Sequence, residues 1–288
     1  MITGTIAVCT RNRAEVLRQC LAGLDTQVAE PGQIEVLVVD NGSTDDTPDL
    51  LRRWCGQGEG GVAGARQADL AASDRDVVLF VDDDALTPPT WARAHLRAYA
   101  GDDRAGTVGG PVGLTWPAGR PDWVSDEVTM WYSALDKGDD AGPFPGDHGP
   151  YGTNMSVRRT AALDAGGYDP RLGRRGGALL SGEEPAMTRR LAAAGWSVLY
   201  APEAAVVQQV LPERLSPRWL LRRGFAQGVS NARPPAEAAA ELRAGRDLWA
   251  RRRYGGRDEL AATVVALAHA GAAVDHARAA VGRQGGRP

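Results

Sequence analysis

The sequence contains no apolar run long enough to cross a membrane. Its longest candidate, residues 260–274, is rich in alanine, contains His269 and ends before Asp275. A membrane span needs about 20 apolar residues, so this segment predicts a packed helix. The apolar run at residues 6–9 is shorter than the core of a signal peptide, and arginines follow it closely. We therefore expect a cytoplasmic protein without a targeting segment.

Cysteine is also scarce. The three cysteines, Cys9, Cys20 and Cys55, are an odd number and form no Cys-x-x-Cys pair. Cys9 lies in an apolar strand pattern and Cys20 on the apolar face of a helical pattern. These features predict buried free thiols in a reducing compartment and argue against a disulfide framework or a zinc site.

Lysine is almost absent, since 32 of the 33 basic residues are arginine and only Lys137 is lysine. This bias suggests a GC-rich bacterial genome and says nothing about mechanism. Residues 1–213 carry 19 basic and 30 acidic groups, whereas residues 214–288 carry 14 arginines and 6 acids. Such a basic tail could touch an anionic partner or a membrane surface. We prefer the interpretation that these arginines lie on solvated helix faces. Membrane contact is the less favoured alternative, and we expect no nucleic-acid partner.

The first half of the chain alternates short β-branched runs with helical patterns. Strands are predicted at residues 5–9, 34–39 and 76–81, with helices between them, the second of which Thr47 or Asp46 can cap. This alternation predicts a largely parallel sheet covered by helices.

Polar residues follow each of these three strands. They are Thr10, Arg11 and Asn12 after the first strand, Asp40 after the second, and Asp82, Asp83 and Asp84 after the third. In parallel α/β sheets, ligands bind at the carboxyl ends of the strands. The topology therefore predicts a binding site at this edge before any family is considered.

The second half is less regular. Residues 111–150 contain recurring Pro and Gly and the aromatic residues Trp116, Trp123, Trp131 and Tyr132. A long irregular stretch in a compact domain is usually functional, and aromatic rings suit stacking on a sugar or an aromatic molecule. Beyond it we expect helices from Val157 to Ala165 and from Glu184 to Ala194, strands at residues 198–201 and 205–207, and a helix opening at Pro217. An Arg/Ala-rich helical tail, broken at Pro234–Pro235, completes the chain.

The triplet Asp82–Asp84 is the most informative acidic motif. Hard oxygen ligands suit Mg²⁺ or Mn²⁺, which bridge carboxylates to phosphate oxygens. A metal there would neutralise the charge that develops on a diphosphate leaving group. A surface acidic turn is the alternative, but the position directly after a buried strand favours the metal site.

Two other acidic sites have a structural and a functional interpretation each. Asp40 could meet a nucleobase or a ribose hydroxyl, or it could cap the amides of the next loop. Glu183 and Glu184 open a predicted helix, where the helix dipole stabilises acids. One of them could instead be the general base that deprotonates an acceptor hydroxyl. Both interpretations stay open from these residues alone.

Together these motifs resemble family 2 glycosyltransferases of the GT-A fold over residues 4–212. The residues that carry the resemblance are Val8-Cys9-Thr10-Arg11-Asn12-Arg13, Val38-Val39-Asp40-Asn41-Gly42-Ser43-Thr44-Asp45, Phe80-Val81-Asp82-Asp83-Asp84, Gly152-Thr153-Asn154-Met155-Ser156-Val157-Arg158-Arg159, Gly166-Gly167-Tyr168-Asp169 and Gly182-Glu183-Glu184.

The resemblance implies a role for each predicted site residue. Thr10, Arg11 and Asn12 form the loop around the nucleotide, and Asp40 reads the base. In the DXD-type triplet, Asp84 is implied as the metal ligand, with Asp82 as a second candidate, while Asp82 or Asp83 meets the ribose or the donor sugar. Asn154 lines the sugar pocket. Glu184 is the implied base and Glu183 the fallback.

This sequence departs from the family pattern in two places. The second acid of the Glu183–Glu184 pair is Glu where Asp is commoner. The family often has a metal-binding His after a late strand, where this chain has Gln208 and Gln209. His95, His148, His269 and His276 stand elsewhere, and we expect no metal role for them, although His148 falls in the region assigned to the acceptor.

We therefore predict an α/β fold of the GT-A type with a mostly parallel sheet flanked by helices. Residues 1–213 are expected to form the transferase domain, with a nucleotide-binding half at 1–110 and an acceptor half at 111–213, and residues 214–288 a helical extension. The expected enzyme is an inverting, metal-dependent transferase that moves a sugar from a nucleoside diphosphate, UDP first, to an acceptor hydroxyl. The expected acceptor is a small natural product, a carrier-linked intermediate or a cell-surface glycan. A nucleotidyltransferase and a non-catalytic binding protein on a degenerate GT-A fold are the alternatives.

Overall fold

The computed structural model describes residues 1–27, 32–54, 65–144, 149–169, 172, 179, 181–230, 260–261 and 263–272. Internal contacts divide the chain into two compact units. The core unit comprises Met1–Thr115, Ser133–Pro170 and Glu183–Gln209, and the C-terminal unit comprises Trp116–Tyr132, Arg171–Gly182 and Val210–Pro288. The last segment of the C-terminal unit begins at Val210, close to the boundary predicted after residue 213. The unit also contains two earlier segments, which a single boundary in the sequence does not anticipate.

The core unit alternates strands and helices as the sequence predicts. Its elements are β1 Gly4–Thr10, α1 Ala14–Leu24, β2 Ile34–Asp40, α2 Thr47–Trp54, α3 Ala65–Ala72, β3 Val77–Asp82, β4 Ala85–Leu86, α4 Trp91–Gly101, β5 Ala105–Gly109, β6 Val112–Thr115, β7 Gly142–Pro143, β8 Asn154–Arg158, α5 Arg159–Asp164, α6 Glu183–Ala193, β9 Ser197–Tyr200 and β10 Val206–Gln209.

Seven strands form the main sheet in the order β2-β1-β3-β8-β5-β9-β7. β1 pairs in parallel with both β2 and β3, whereas β8 and β7 run antiparallel to their neighbours. Thr10 pairs with Asp40, and Cys9 pairs with Asp82. The sheet is therefore mostly parallel, and the first three strands end at one edge, as the sequence predicts.

A smaller sheet has the order β4-β10-β6. β10 pairs antiparallel with β4 through Val207 and Leu86, and in parallel with β6 through Gln209 and Thr115. Since β4 begins directly after Asp84, this sheet continues from the acidic triplet.

Alternating side chains of the main sheet fill two apolar layers, as expected for a sheet covered on both faces. One layer contains Ile6, Val8 and Leu79 with helices α1 and α4. The other contains Phe80 and Met155 of β3 and β8 and the α6 residues Met187 and Leu191. The apolar run of β3 therefore faces protein on both sides, which fixes the position of the aspartates that follow it.

Two local predictions need correction. Val157 lies in β8 rather than in a helix, and the helix begins only at Arg159. Asn154–Arg158 is too short for periodicity to separate strand from helix, and pairing with β3 decides it. At the start of α2 the backbone amide of Thr47 donates to the Asp45 carboxylate at 3.0 Å, so Asp45 is the capping side chain.

The C-terminal unit contains a 3-10 helix at Asp126–Tyr132, another at Pro212–Arg214, α7 at Pro217–Ser230, and helical residues 260–261 and 263–272. The rings of Tyr132 and Trp219 stack with centroids 5.2 Å apart. A Cβ on Gly228 of α7 would lie 1.7 Å from the carbonyl oxygen of Ala268, so glycine permits close contact between the two helices. Leu220 is fully buried. These contacts lie within the C-terminal unit, and membrane contact by the basic tail stays the less favoured prediction.

Four features named in the sequence lie outside the described residues: Cys55, His148, His276 and the Pro234–Pro235 break. Within the described part of the chain, no helix has the length and apolar character that a membrane crossing requires.

Candidate active site

Strand ends bring the predicted acidic residues together. Asp82 is the last residue of β3, Asp83 and Asp84 form the turn into β4, and Thr10 is the last residue of β1. We call the group Thr10, Arg13, Asp82, Asp83, Asp84 and Thr153 the acidic cluster.

Asp83 has two protein partners. It accepts a hydrogen bond from the Thr10 hydroxyl at 2.8 Å and an ion-paired bond from the Arg13 guanidinium at 2.7 Å. Its residue is 4% exposed, and burial raises the pKa of the carboxyl group, while the charge of Arg13 opposes that rise. The family resemblance implies that Thr10 belongs to the loop around the nucleotide. In the structure its hydroxyl contacts Asp83 within the protein.

Asp84 is fully buried. Its Oδ2 lies 3.3 Å from Arg13, and its backbone oxygen accepts the amide of Gln209 at 2.8 Å. One arginine therefore lies beside two carboxylates, which leaves the acidic cluster with excess negative charge. The thiol of Cys20 responds to that charge: burial, and next the charge of Asp83, raise its pKa. Cys20 is accordingly a buried neutral thiol, as predicted.

Asp82 is half-buried and is oriented from the turn before the neighbouring strand β8. The hydroxyl of Thr153 donates to Asp82 Oδ2 at 2.8 Å and lies 3.4 Å from Gln208 Oε1. Of the two glutamines considered at the family's histidine position, Gln208 is therefore the one whose side chain approaches the triplet.

The roles of Thr153 and Arg13 cannot be deduced from the motifs that contain them, because their partners are about 70 residues away in the chain. A hydroxyl residue directly before β8 is the signal that could have indicated Thr153. Only closeness to the triplet in space indicates Arg13.

The loops after β1 and β2 bind each other. Asn12 has a positive φ of 53° and accepts the amide of Thr44 at 2.7 Å. Asp40 Oδ1 accepts the amide of Ser43 at 3.0 Å and its hydroxyl at 2.5 Å. Asp40 thus makes the capping contacts considered as its structural role, and it is still partly exposed. Arg11 is exposed beside Asn12.

Asn154, implied by the resemblance to line the sugar pocket, has protein partners for its whole amide group. It is fully buried; its Oδ1 accepts Trp91 Nε1 at 2.8 Å and lies 3.0 Å from His95 Nε2, and its Nδ2 donates to the backbone oxygens of Pro111 and Ala204. An amide has two donors and one acceptor oxygen, and all are used. These contacts support a structural role for Asn154, and its expected contact with a donor sugar stays a prediction.

His95 extends this structural group. Its Nδ1 lies 2.9 Å from the Ser156 hydroxyl, which in turn lies 3.1 Å from the Tyr99 hydroxyl. Complete burial lowers the pKa of His95 to about 4, so its imidazole is neutral. We call Trp91, His95, Tyr99, Asn154 and Ser156 the neutral cluster. It gives His95 a packing role, as expected from the sequence.

Glu183 and Glu184 occupy the first turn of α6 and are both half-buried. α6 leads into β9, which runs parallel to β5 and starts beside Ala105 at the amino edge of the sheet. An 11-residue helix spans about 16 Å, so the start of α6 lies toward the carboxyl edge. The two glutamates and the aspartate triplet are therefore on the same side of the core unit.

The carboxylates of Asp82 and Asp84 and the amide oxygen of Gln208 lie on one side of the core unit. Such oxygen ligands suit a hard divalent cation. Asp82 is the more accessible carboxylate. Among the described residues, no three His, Cys, Asp or Glu side chains form a group that could hold a metal. The described residues thus present only part of a coordination sphere.

The family description "Glycosyl transferase family 2" matches residues 5–165, which is more than half of the chain. This chain belongs to glycosyl transferase family 2. The match spans the acidic cluster, Asp40 and Asn154, and ends before Glu183 and Gln208.

Two relatives of this family 2 glycosyltransferase share most of its length. A glucosyl-dolichyl phosphate glucuronosyltransferase of Haloferax volcanii is 29% identical over 78% of this chain and 75% of its own length. The succinoglycan biosynthesis protein ExoM of Rhizobium meliloti is 28% identical over 83% of this chain and 77% of its own.

Solved structures support the GT-A fold. The mannosyltransferase PcManGT from Pyrobaculum calidifontis, in complex with GDP-Man and Mn²⁺, superposes with a TM-score of 0.55 at 20% identity, covering 100% of this chain and 76% of that one. GalNAc-T7, with UDP, GalNAc and Mn²⁺, gives a TM-score of 0.57 at 14% identity, covering 91% and 54%. The predicted family and fold are confirmed, and the protein is a glycosyltransferase. The roles of individual site residues stay predictions.

Proposed function

We propose that this glycosyltransferase moves a sugar from a nucleoside diphosphate sugar, UDP-linked first, to an acceptor hydroxyl with inversion. The observation that carries the proposal is the acidic cluster at the carboxyl edge of β1 and β3, with the glutamates of α6 on the same side. One of the two solved structures contains UDP and the other GDP-Man, so both uridine and guanosine donors have to be tested.

Asp82 and Asp84, with the amide oxygen of Gln208, would hold Mn²⁺ or Mg²⁺. When bound, the metal supplies positive charge for the departing diphosphate. Arg13 holds Asp83 in the ion pair, and Thr153 fixes the Asp82 carboxylate by its hydroxyl. Because these side chains are held before the donor arrives, little reorganisation accompanies binding.

Glu184 is the proposed base, with Glu183 as the fallback. A carboxylate there would accept the proton of the acceptor hydroxyl as that oxygen attacks the anomeric carbon, and the nucleoside diphosphate leaves on the opposite face. One base and direct attack are sufficient for inversion, so no covalent sugar–enzyme bond is required.

A carrier-linked acceptor is preferred to a small natural product. The support is the Haloferax relative, whose name identifies a lipid-linked sugar as its acceptor, aligned over three quarters of both chains. A shorter match, 31% identity over 36% of this chain, links it to validoxylamine A glucosyltransferase of Streptomyces hygroscopicus, which keeps the small-molecule acceptor as the second candidate.

The test is release of UDP or GDP from a panel of nucleotide sugars, with and without Mn²⁺. We expect metal-dependent release from one donor, and about a 10²-fold fall in turnover for Glu184→Gln with donor binding retained. Glu183→Gln is the matched control, nearly isosteric and one residue away. If Glu183→Gln alone loses activity, the base is Glu183. If no donor releases nucleotide with or without metal, the proposed reaction is wrong.

A further inference from the structure

Arg13 connects the loop after β1 with the aspartate triplet. One nitrogen of its guanidinium, Nη1, lies 2.7 Å from Asp83 Oδ1 and 3.3 Å from Asp84 Oδ2. The Thr10 hydroxyl donates to the other oxygen of Asp83 at 2.8 Å. Both oxygens of Asp83 therefore have a protein donor, and the same nitrogen of Arg13 extends the contact to Asp84.

The two carboxylates are buried deeply enough to need a cation. Asp83 is 4% exposed and Asp84 is fully buried. Removing one partner of a buried ion pair strongly destabilises a protein, because the remaining charge is left without compensation. The metal-free fold therefore depends on Arg13 as a counter-ion.

The backbone around Arg13 is held by the loop after β2. Three successive amides donate to side chains of that loop: Asn12 to Ser43 Oγ at 2.8 Å, Arg13 to Thr47 Oγ1 at 3.2 Å, and Ala14 to Asp45 Oδ2 at 3.3 Å. The root of the Arg13 side chain is thus fixed, while 27% of the side chain is exposed. Its guanidinium lies at the triplet before any ligand arrives.

A divalent cation at the proposed site would meet the charge that Arg13 already supplies. Asp84, one of the proposed metal ligands, shares its Oδ2 with Arg13. Positive charges repel, so a cation on Asp84 and the guanidinium disfavour each other. The contact to Asp84 is the longer of the two, and the ion pair with Asp83 at 2.7 Å can persist when the longer contact is lost.

We propose that Arg13 is a built-in counter-ion that occupies Asp84 until a metal replaces it there, and that this competition keeps metal affinity low without nucleotide. The inference rests on the proposed metal ligands and gives Arg13 a positioning role. Loss of its charge should destabilise the metal-free protein and tighten metal binding. A merely structural ion pair would produce the first effect without the second.

Mn²⁺ binding in the absence of nucleotide tests this inference, by calorimetry and by thermal unfolding with and without the metal. Arg13→Gln should bind Mn²⁺ about tenfold more tightly than the wild type or better, because a neighbouring positive charge is lost. Its unfolding temperature should fall by about 10 °C without metal. Saturating Mn²⁺ should then raise the unfolding temperature of the variant more than that of the wild type.

Two further variants control for the loss of an arginine as such. Arg18→Gln removes an exposed arginine of α1 that lies 3.7 Å from Glu15, and it should change neither measurement. Arg13→Lys retains the charge and should keep Mn²⁺ affinity close to that of the wild type.

A second pair of proteins keeps the test valid if Arg13→Gln does not fold. Asp83→Asn leaves Arg13 beside Asp84, whereas Asp83→Asn combined with Arg13→Gln removes both members of the ion pair and leaves no partner charge behind. The double variant should bind Mn²⁺ about tenfold more tightly than Asp83→Asn alone.

Equal Mn²⁺ affinity in the wild type and Arg13→Gln, or in the two Asp83→Asn proteins, would overturn the proposal. The same holds if none of the variants binds Mn²⁺, or if Arg13→Gln unfolds at the wild-type temperature. Because no donor is present, such a result differs from failure of the proposed transfer, which would appear as absent nucleotide release.

Discussion

The core unit contains two polar clusters that lie one residue apart along β8 and the turn before it. Asn154 belongs to the neutral cluster and Thr153 to the acidic cluster. In the neutral cluster Asn154 and both nitrogens of His95 have protein partners, and no member is charged. In the acidic cluster Arg13 pairs with Asp83 and Asp84, and Asp82 accepts a hydrogen bond from Thr153.

We expect the neutral cluster to contribute to stability and the acidic cluster to function. A fully satisfied neutral network in a low-dielectric interior rigidifies the fold. Crowded carboxylates disfavour their own ionisation unless a cation is near, and such an arrangement is typical of sites that bind charged ligands. Substitutions in the two clusters should therefore be distinguishable by what they impair, namely folding or turnover.

The largest expected effect is at Asp84. Asp84→Ala should lower kcat/KM by about 10³-fold and abolish the stabilisation by nucleotide sugar with Mn²⁺, because the carboxylate that we propose as a metal ligand is lost. Thermal unfolding with and without UDP and Mn²⁺, together with steady-state kinetics, measures this. Full activity in the mutant would mean that Asp84 is not a metal ligand.

Asn154→Ala should have the reverse profile. It removes four contacts and leaves Trp91 Nε1, His95 Nε2 and the backbone oxygen of Ala204 without these partners, while the Pro111 oxygen keeps the amide of Val206. The free energy of unfolding should therefore fall by about 3 kcal/mol or more. Urea unfolding of the wild type and the variant measures this change in the free energy of unfolding. If the variant keeps wild-type stability but loses donor affinity, the sugar-pocket role from the sequence is restored.

The neutral cluster should also be sensitive to acid. The pKa of His95 is about 4 in the fold and 6.5 as the ordinary value. The unfolded chain therefore takes up a proton as pH falls below 6.5 while the folded chain does not, and the His95 contribution to stability falls by about 3 kcal/mol between pH 6.5 and pH 4. Below pH 4 it is constant.

The measurement is urea unfolding across this pH range for the wild type and His95→Gln. Subtracting the two curves removes the carboxylates that both proteins share. A difference that does not change with pH would show that His95 is not held neutral by burial.

The smallest expected effect is Mn²⁺ binding to the acidic cluster without nucleotide. Since the described residues offer no complete ligand group, calorimetry should detect only weak binding until UDP supplies phosphate oxygens. Asn154→Ala serves as a control that leaves the carboxylates in place. Tight binding to the protein alone would indicate a further ligand, of which His148 is the candidate from sequence.

Much of the site's framework could be predicted from the sequence because local patterns specify it. The β-branched runs before Thr10, Asp40 and Asp82 indicate buried parallel strands, and topology then places their ends at one edge. β8 was missed because its five residues carry no clear period, so only its pairing with β3 identifies it. Since Asn154 is in that strand, its role could not be deduced from the motif around it.

The C-terminal unit shows where a linear boundary fails. Trp116–Tyr132 precedes much of the core unit in the chain, yet it packs with residues of α7, as the stacking of Tyr132 on Trp219 demonstrates. Aromatic clustering in the sequence indicates that such rings matter. It does not specify their partners, because stacking depends on which distant segment approaches.

The sequence by itself determined the family, the strand-helix alternation and the edge at which the acidic residues meet, since these follow from local polarity and chain direction. Only the tertiary structure decided how charge is distributed among neighbouring residues. It pairs Arg13 with Asp83, directs Thr153 to Asp82, buries Asn154 in a neutral network, and turns Gln208 and Gln209 to opposite faces of β10. The physical reason is that hydrogen bonds and ion pairs depend on distance in space, and the partners here are separated by tens of residues in the chain.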